Sequence, residues 1–285
     1  MRTQISPRIL ATGLSFVTLF LALSVPLPAA LVMEADYSVG KDLTVGTPAT
    51  GTLTGGAVVS GGALQVTSSG SSGVTYGTVN NYLNVSGTSW GSNTLVATYS
   101  LNANGNTRQT LFSTSGDNAS GIILWGNVDN ATRGIRLDIY NANTGVSPTT
   151  WLSNSKPLAN TDYFVSASWQ DNENGTLAVE LYFRELNDLI GTTAIYQAFS
   201  VSNPSGTNGM TNSTTQTVNL GHRINSDALN GDIYLFQTYN TFTSSQAGFD
   251  ALFNSVVVPE PGTTVLLSVG ALALLGFRRF RRKDS

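Results

Sequence analysis

The 285-residue chain contains no cysteine, one histidine and three lysines. The absence of cysteine excludes a disulfide-stapled mini-fold, a thiolate metal site and a cysteine nucleophile. A single histidine leaves a histidine-based metal site without a second nitrogen ligand. Charged residues make up 11% of the chain, less than half of the roughly 25% that is usual in soluble domains. So few cations disfavour a nucleic-acid partner, because binding phosphates requires lysine and arginine.

Polar uncharged residues take the place of the missing charge. Serine, threonine and asparagine occupy 91 of the 285 positions, and there are 29 glycines. A surface coated with hydroxyl and amide groups is compatible with a hydrated polysaccharide matrix. The length allows one large all-β domain or two small ones.

Residues 1–30 have the organisation of a secretory signal peptide. Arg2 and Arg8 precede an apolar run at 9–25, and small residues follow at Ala29 and Ala30. We expect cleavage between Ala29 and Ala35, with an uncleaved N-terminal anchor as the alternative. Either reading predicts passage through the secretion machinery.

The C-terminal end, at 258–283, contains three elements in order. The triplet Pro259, Glu260 and Pro261 precedes an apolar stretch at 263–277 and a basic tail at 278–283. As a helix, the 15 residues of this stretch would span about 22 Å, short of the ~30 Å hydrocarbon core, so we expect bilayer thinning or snorkelling arginines. The basic tail would stay cytoplasmic by the positive-inside rule, which places the rest of the chain outside.

This end resembles the PEP-CTERM sorting signal of Gram-negative bacteria. The resemblance implies recognition of Pro259, Glu260 and Pro261 by a membrane-embedded exosortase, which cuts near the triplet and passes the body on. It therefore predicts an inner-membrane-anchored precursor and a final place in the cell envelope or extracellular matrix. The alternative is a simple tail anchor behind a proline-rich break. Removal of both ends would leave seven basic and 16 acidic residues, a net charge of −9.

The body, at 36–254, reads as one all-β domain. Leu177, Val179 and Leu181 alternate with polar or small residues, which predicts a strand with one buried and one solvated face. Asn174-Gly175 between two such runs is a strong hairpin signal. The ten predicted strands are 63–67, 95–101, 109–113, 122–125, 134–140, 163–170, 177–183, 194–199, 216–220 and 232–239.

One helix is expected near the end of the body. Thr243 and Ser244 can cap it, and Phe249, Leu252 and Phe253 recur at helical spacing. We expect Phe249 and Phe253 to pack onto the sandwich edge.

Three stretches resemble the concanavalin A-like, laminin-G-type jelly roll: residues 61–66, residues 163–169 with the following hairpin, and residues 220–234. The resemblance implies a jelly-roll β-sandwich. It also implies binding of glycans or proteins, since some relatives hydrolyse polysaccharides but most bind.

No catalytic residues are assigned. A glycoside hydrolase needs two carboxylates about 5–10 Å apart, and the two near-matches to a strand-borne acid pair lie at the signal-peptide border and in the hairpin loop. The other strand acids are isolated in sequence, and the favoured interpretation places all these acids on solvated faces or in loops. His222 lacks a nucleophile elbow and is interpreted as a surface or sheet-end residue. These acids are Glu34 and Asp36 at the border, Asp171 and Glu173 in the loop, and Asp138, Glu180 and Asp232 on strands.

Calcium is the one cofactor that the sequence leaves open, with no defined ligands. Oxygen-rich loops occur at 117–118, 129–130 and 171–174. Among the tryptophans, Trp125 and Trp169 are predicted to be core residues. Trp90 and Trp151 are predicted to be either exposed residues that stack on sugars or buried residues, and burial is the favoured interpretation.

Three hypotheses follow. The leading one is an exported, non-enzymatic structural or adhesion module of the envelope or matrix. The first alternative is a carbohydrate-binding module for an extracellular polysaccharide. The second is a polysaccharide hydrolase or lyase.

Overall fold

The computed structural model describes residues 30–257, with gaps at 68–69, 87–88, 104–106, 115–120, 129–131, 141–148, 189, 203–213 and 224–225. The predicted signal peptide and the predicted sorting signal lie outside the described residues, save for Ala30.

Fifteen strands, one α-helix and a short 3₁₀ helix at Val79–Asn81 make up the described body. In chain order the strands and the α-helix are β1 Leu31–Asp36, β2 Thr52–Thr54, β3 Val58–Ser60, β4 Ala63–Val66, β5 Gly73–Thr78, β6 Ser92–Leu101, β7 Gln109–Ser113, β8 Gly121–Asn127, β9 Arg133–Tyr140, β10 Thr149–Ser153, β11 Asp162–Asp171, β12 Thr176–Glu185, β13 Ile195–Ser202, β14 Thr217–Leu220, β15 Gly231–Tyr239 and α1 Gln246–Val257. All ten predicted strands are confirmed, and the all-β prediction with them.

The strands form two antiparallel sheets. Sheet A has the order β13-β12-β11-β6-β15-β4-β3, and β1 also pairs with β15. Sheet B has the order β10-β9-β8-β7-β14-β5-β2. Strand β15 pairs with β4 through its first three residues and with β1 through its second half. Because β1 is part of sheet A, signal-peptide cleavage near Ala30 keeps the sheet whole, whereas cleavage at Ala35 would remove most of one strand.

Alternating side chains build the core between the sheets. Leu177, Val179 and Leu181 of β12 and Val165 and Trp169 of β11 are at most 1% exposed and belong to one cluster with residues of sheet B. Burial of about 25 cal/mol for each Å² of apolar surface makes this cluster the main source of stability in a chain without disulfides.

Helix α1 lies on the outer face of sheet A, so the prediction that Phe249 and Phe253 pack onto the sandwich edge was wrong. Both phenylalanines are fully buried against Val96, Phe164 and Tyr182, which lie on the neighbouring strands β6, β11 and β12. The prediction of a solvated outer face on β12 fails for the same reason: the helix covers it.

Candidate functional site

An aromatic cluster lies on the outer face of sheet B, and we name it the Trp151 platform. It consists of Trp125 on β8, Arg136, Asp138 and Tyr140 on β9, and Trp151 on β10. Trp125 is 1% exposed, while Tyr140 and Trp151 are half-buried. Trp125 packs with Ile123 and Val128, and Tyr140 and Trp151 lie against this cluster. The platform is therefore the solvent-exposed edge of the cluster.

Strand register brings these side chains together. Arg136 is the cross-strand partner of Trp125 on one side and of Trp151 on the other. Side chains of directly paired residues lie about 5 Å apart on the same face. Leu137 and Leu152, the next residues on β9 and β10, belong to the core, so the platform residues point away from it.

The guanidinium of Arg136 stacks against both indoles. Its Cζ lies 4.7 Å from the ring centroid of Trp151 and 5.8 Å from that of Trp125. Both separations fall within the ~6 Å range of cation–π attraction. The stack holds the Trp151 ring in place without burying it completely.

Asp138 neutralises Arg136 and ties the platform together. Its buried carboxylate accepts hydrogen bonds from Arg136 Nε at 2.6 Å, Trp125 Nε1 at 2.7 Å and the Tyr140 hydroxyl at 3.1 Å. Burial, and then the neighbouring Asp138 charge, raise the pKa of Tyr140. Tyr140 is therefore a neutral hydroxyl donor at physiological pH.

The four tryptophans, all within the described residues, occupy different environments. Trp90 and Trp169 are fully buried in the core between the sheets. The prediction for Trp169 is confirmed, and the favoured interpretation of Trp90 as buried is confirmed as well. Trp125 is buried, but on the outer face of sheet B. Trp151 alone keeps a partly exposed ring, and sequence reasoning could not know that Arg136 supports it.

Two strand acids that seemed isolated are in fact engaged. Glu180 is 8% exposed and accepts hydrogen bonds from the Tyr196 hydroxyl and the Ser245 backbone N–H. Asp138 belongs to the platform. The interpretation of both as solvated residues was wrong, because the outer faces of their strands are covered or clustered.

Asp232 is also not isolated. It and Asp162 are the cross-strand partners of Ser100 on its two sides. Burial, and then the charge of Asp162, raise the pKa of Asp232. The Tyr234 hydroxyl donates to Asp162 Oδ1 at 2.8 Å and contacts the Ser100 hydroxyl at 3.0 Å, so Asp162 belongs to a local hydrogen-bond network on sheet A.

The border acids Glu34 and Asp36 lie on β1 and make local contacts. Glu34 accepts hydrogen bonds from the Thr44 hydroxyl and from Gln237 Nε2. Asp36 accepts one from the Ser38 backbone N–H. Their contacts stabilise the start of the fold.

His222 lies two residues after the end of β14, as the sheet-end interpretation predicts, but it is buried rather than on the surface. It is 3% exposed, and its ring packs against Gly73 so closely that a Cβ there would lie 2.4 Å from Cδ2. Its Nε2 has no hydrogen-bond partner among the described residues. Burial lowers the pKa of the imidazole, partly offset by the Arg223 carbonyl near Nδ1.

A polar cleft of about 480 Å³ lies where the β11–β12 hairpin meets the loop before β6. Asp171 and Glu173, the predicted loop acids, both line it. The hairpin itself is confirmed, with the left-handed backbone at Glu173 and Gly175 rather than at Asn174 and Gly175. We name this feature the hairpin cleft.

Calcium stays a prediction. Among the described residues, no three His, Cys, Asp or Glu side chains come together as metal ligands would. Two of the three oxygen-rich loops, at 117–118 and 129–130, lie outside the described residues.

The sorting triplet Pro259, Glu260 and Pro261 and the predicted membrane span at 263–277 also lie outside the described residues. Between residues 30 and 257, gaps aside, no helix has the length and apolar character that crossing a bilayer requires.

The body resembles many solved structures, including the following two. Domain 4 of AbnA, a GH43 extracellular arabinanase from Geobacillus stearothermophilus in complex with arabinotriose, matches 80% of this chain and 98% of that chain, with 16% identity and a TM-score of 0.55. The binding domain of botulinum neurotoxin serotype D matches 80% of this chain and 51% of that chain, with 11% identity and a TM-score of 0.56. At these identities the similarity shows a shared β-sandwich fold.

Comparison with curated proteins gives no match. Residues 257–282 match the model of the PEP-CTERM protein-sorting motif. That motif implies an exported protein that an exosortase processes. The chain is thus a β-sandwich that ends in a PEP-CTERM sorting signal.

Proposed function

We propose that the protein is an exported carbohydrate-binding module that holds a neutral polysaccharide of the cell envelope or extracellular matrix on the Trp151 platform. The observation that carries the proposal is the partly exposed Trp151 ring, stacked on Arg136 and backed by Trp125. Its role in the matrix would be structural or adhesive.

The platform suits a sugar ring. Indole faces are large, rigid and apolar, and the polar groups around them fix orientation. Tyr140 supplies a hydroxyl at the rim, and Arg136 donates to Thr149 at 3.3 Å. Since Arg136 already holds Trp151, little side-chain entropy is lost when a ligand stacks on it.

The charges favour a neutral ligand. Asp138 neutralises Arg136, so none of the five platform residues carries an unpaired positive charge that would attract a uronate or sialate. After processing the body would carry a net charge of −9, which repels polyanions.

Catalysis has weaker support than binding. The platform contains one carboxylate, Asp138, and its oxygens already accept three hydrogen bonds. A hydrolase needs a second carboxyl group about 5–10 Å away and both free to act. The oligosaccharide in the complex of the arabinanase domain supports the view that this fold can carry a glycan.

Affinity electrophoresis of the full chain tests the proposal. Gels containing arabinan, mannan, mixed-linkage glucan or polygalacturonate would be compared with sugar-free gels. We expect retardation by at least one neutral polymer, and weaker retardation of Trp151→Ala than of wild type.

Tyr234→Ala is the matched control, because Tyr234 is a half-buried aromatic residue on sheet A. It should keep the wild-type retardation. Equal binding by Trp151→Ala and wild type would contradict the proposal, and so would retardation by polygalacturonate alone.

For the sorting signal, we propose that the exosortase recognises Pro259, Glu260 and Pro261. Two prolines exclude a helix and keep the triplet extended, a form that a processing cleft can accept. Replacing Pro259 and Pro261 by alanine should leave a full-length, membrane-retained species in cell fractionation. Normal processing of that variant would show that the triplet is not the recognition element.

A further inference from the structure

The hairpin cleft is built from three segments that are held rigidly. Asp171 Oδ2 accepts hydrogen bonds from the Ser89 hydroxyl and the Trp90 backbone N–H, and the Asp171 N–H donates to the Gly91 carbonyl. Buried Asn93 ties the loop from below, accepting from the Asn84 N–H and donating to the Asn84 carbonyl. The cleft therefore exists before any ligand arrives.

Gly91 is what permits this tight loop. Its φ is +60°, and a Cβ would lie 1.7 Å from the Asn84 carbonyl oxygen. No other residue fits there, so the loop is shaped by a local backbone requirement rather than by chance contacts.

Several polar groups in the cleft are left for a ligand. Within the described part of the chain, the side chains of Asn84, Ser92, Gln170 and Glu173 line the cleft and make no hydrogen bond to other protein groups; Asn84 and Glu173 are exposed, and Ser92 and Gln170 are half-buried. Two carboxamides, a hydroxyl and a carboxylate offer both donors and acceptors. The lining contains no lysine or arginine and two acids, Asp171 and Glu173.

The cleft lies at the β11–β12 hairpin end of sheet A, and the platform lies on the outer face of sheet B. On β11, Trp169 points into the core, so Gln170 points to the outer side of sheet A. On β10, Leu152 points into the core, so Trp151 points to the outer side of sheet B. The two features share no residue.

We propose that the hairpin cleft is a second carbohydrate site, for an uncharged, hydroxyl-rich saccharide, and that the protein cross-links two polysaccharide chains. The carboxylates would accept sugar hydroxyls and reject uronates, since like charges repel. Two sites on one protein can hold two polysaccharide segments, and occupation by segments of different chains cross-links those chains. The cross-linking part rests on the proposed function of the platform, whereas the cleft site stands independently.

Calorimetric titration of the full chain with arabinotriose, maltotriose, cellotriose and trigalacturonate tests both sites. The variants are Trp151→Ala, the pair Asn84→Ala/Gln170→Ala, and all three changes together. Gln65→Ala/Gln197→Ala is the matched control, because both glutamines are partly exposed residues of sheet A.

For at least one neutral trisaccharide we expect two sites per chain in wild type and control, one in Trp151→Ala, one in the Asn84/Gln170 pair and none in the triple variant. Trigalacturonate should bind at least tenfold more weakly. An unchanged stoichiometry in the Asn84/Gln170 pair would overturn the cleft site and leave the platform intact. If the Asn84/Gln170 pair lost all binding and Trp151→Ala lost none, the platform alone would be refuted. Absence of binding to any neutral trisaccharide would overturn both.

Light scattering of a soluble neutral polymer that wild type binds then tests cross-linking. Wild type should raise the scattering, and each single-site variant should bind the polymer without raising it. Equal scattering by the single-site variants would show that the chains associate by another route, such as the apolar tail, and would overturn cross-linking.

Discussion

The outer faces of the two sheets differ in how far they are covered. On sheet A, helix α1 buries Phe249 and Phe253 against Val96, Phe164 and Tyr182. On sheet B, the aromatic residues of the outer face are held by Arg136, and Trp151 keeps part of its ring in solvent. The same alternation of side chains thus produces a covered face where a helix follows and a partly exposed aromatic face where an ion pair supports the rings.

Hydrogen bonds and ion pairs fasten the covered face. Tyr182 donates its hydroxyl to Asp250 on α1 at 2.6 Å, and Arg184 reaches the same carboxylate at 3.2 Å. The Arg184 guanidinium also lies 3.9 Å from the Phe253 ring centroid. Residues of β12 and of α1 therefore both contribute to holding the helix on sheet A.

Removing a phenylalanine from the covered face should have the largest effect on stability. Phe253→Ala leaves a cavity beside Phe164, whose ring centroid is 5.4 Å away, and we expect a loss of about 3–5 kcal/mol in the free energy of unfolding. Denaturant unfolding of the full chain measures it. Leu158→Ala is the control, since Leu158 is 55% exposed, and it should cost well under ~1 kcal/mol. Equal losses would mean that α1 does not cover sheet A.

Acid should destabilise the sheet B side through His222. Burial lowers the pKa of this imidazole in the folded protein, so the unfolded chain binds the proton more readily. Stability is therefore fully present above the unfolded pKa of ~6.5 and falls as the pH drops below it, by no more than about 1.4 kcal/mol per pH unit.

Unfolding free energies at pH 7, 6 and 5 measure this effect. His222→Gln should flatten the slope, because the chain has no other histidine. A wild-type slope that survives the substitution would rule out His222 as its source.

Weakening the fastening of α1 should cost less. Asp250→Asn removes the charge facing Arg184 but keeps an acceptor for the Tyr182 hydroxyl. The Asp250 side chain is 35% exposed, so we expect about 1 kcal/mol, read from thermal or denaturant unfolding. A loss as large as that of Phe253→Ala would mean that charge, rather than apolar burial, holds the helix.

Trp151→Ala should cost less stability than Phe253→Ala, about 2 kcal/mol, because its partly exposed ring buries less apolar surface. Its effect on carbohydrate binding should be large. If the variant instead kept its carbohydrate affinity and lost much of its stability, Trp151 would belong to the fold and not to the binding site.

Sequence patterns predicted much of the fold, because alternation over long strands such as β11 and β12 is a strong local signal. The short edge strands β2 and β3 carry too few residues to show it. The covered face of sheet A escaped prediction because Tyr182 and Arg184 alternate with the core like solvated residues. Only tertiary packing by Phe249 shows that this face is dry.

The candidate site was less predictable. Trp151 was considered as a sugar-stacking residue, yet nothing local distinguished it from Trp90. The distinction comes from register, which places Arg136 between Trp125 and Trp151 across three strands. The hairpin cleft depends on long-range contacts between Asp171 and the loop before β6, which no sequence window contains.

The most direct test of the central claim follows the four indole N–H signals by NMR while a bound neutral oligosaccharide is titrated into the full-length Asn84→Ala/Gln170→Ala variant. With the cleft disabled, we predict that the Trp151 signal shifts most, that of its platform neighbour Trp125 shifts less, and those of buried Trp90 and Trp169 stay in place. Saturable binding that leaves the Trp151 signal unmoved would contradict a carbohydrate site on the outer face of sheet B.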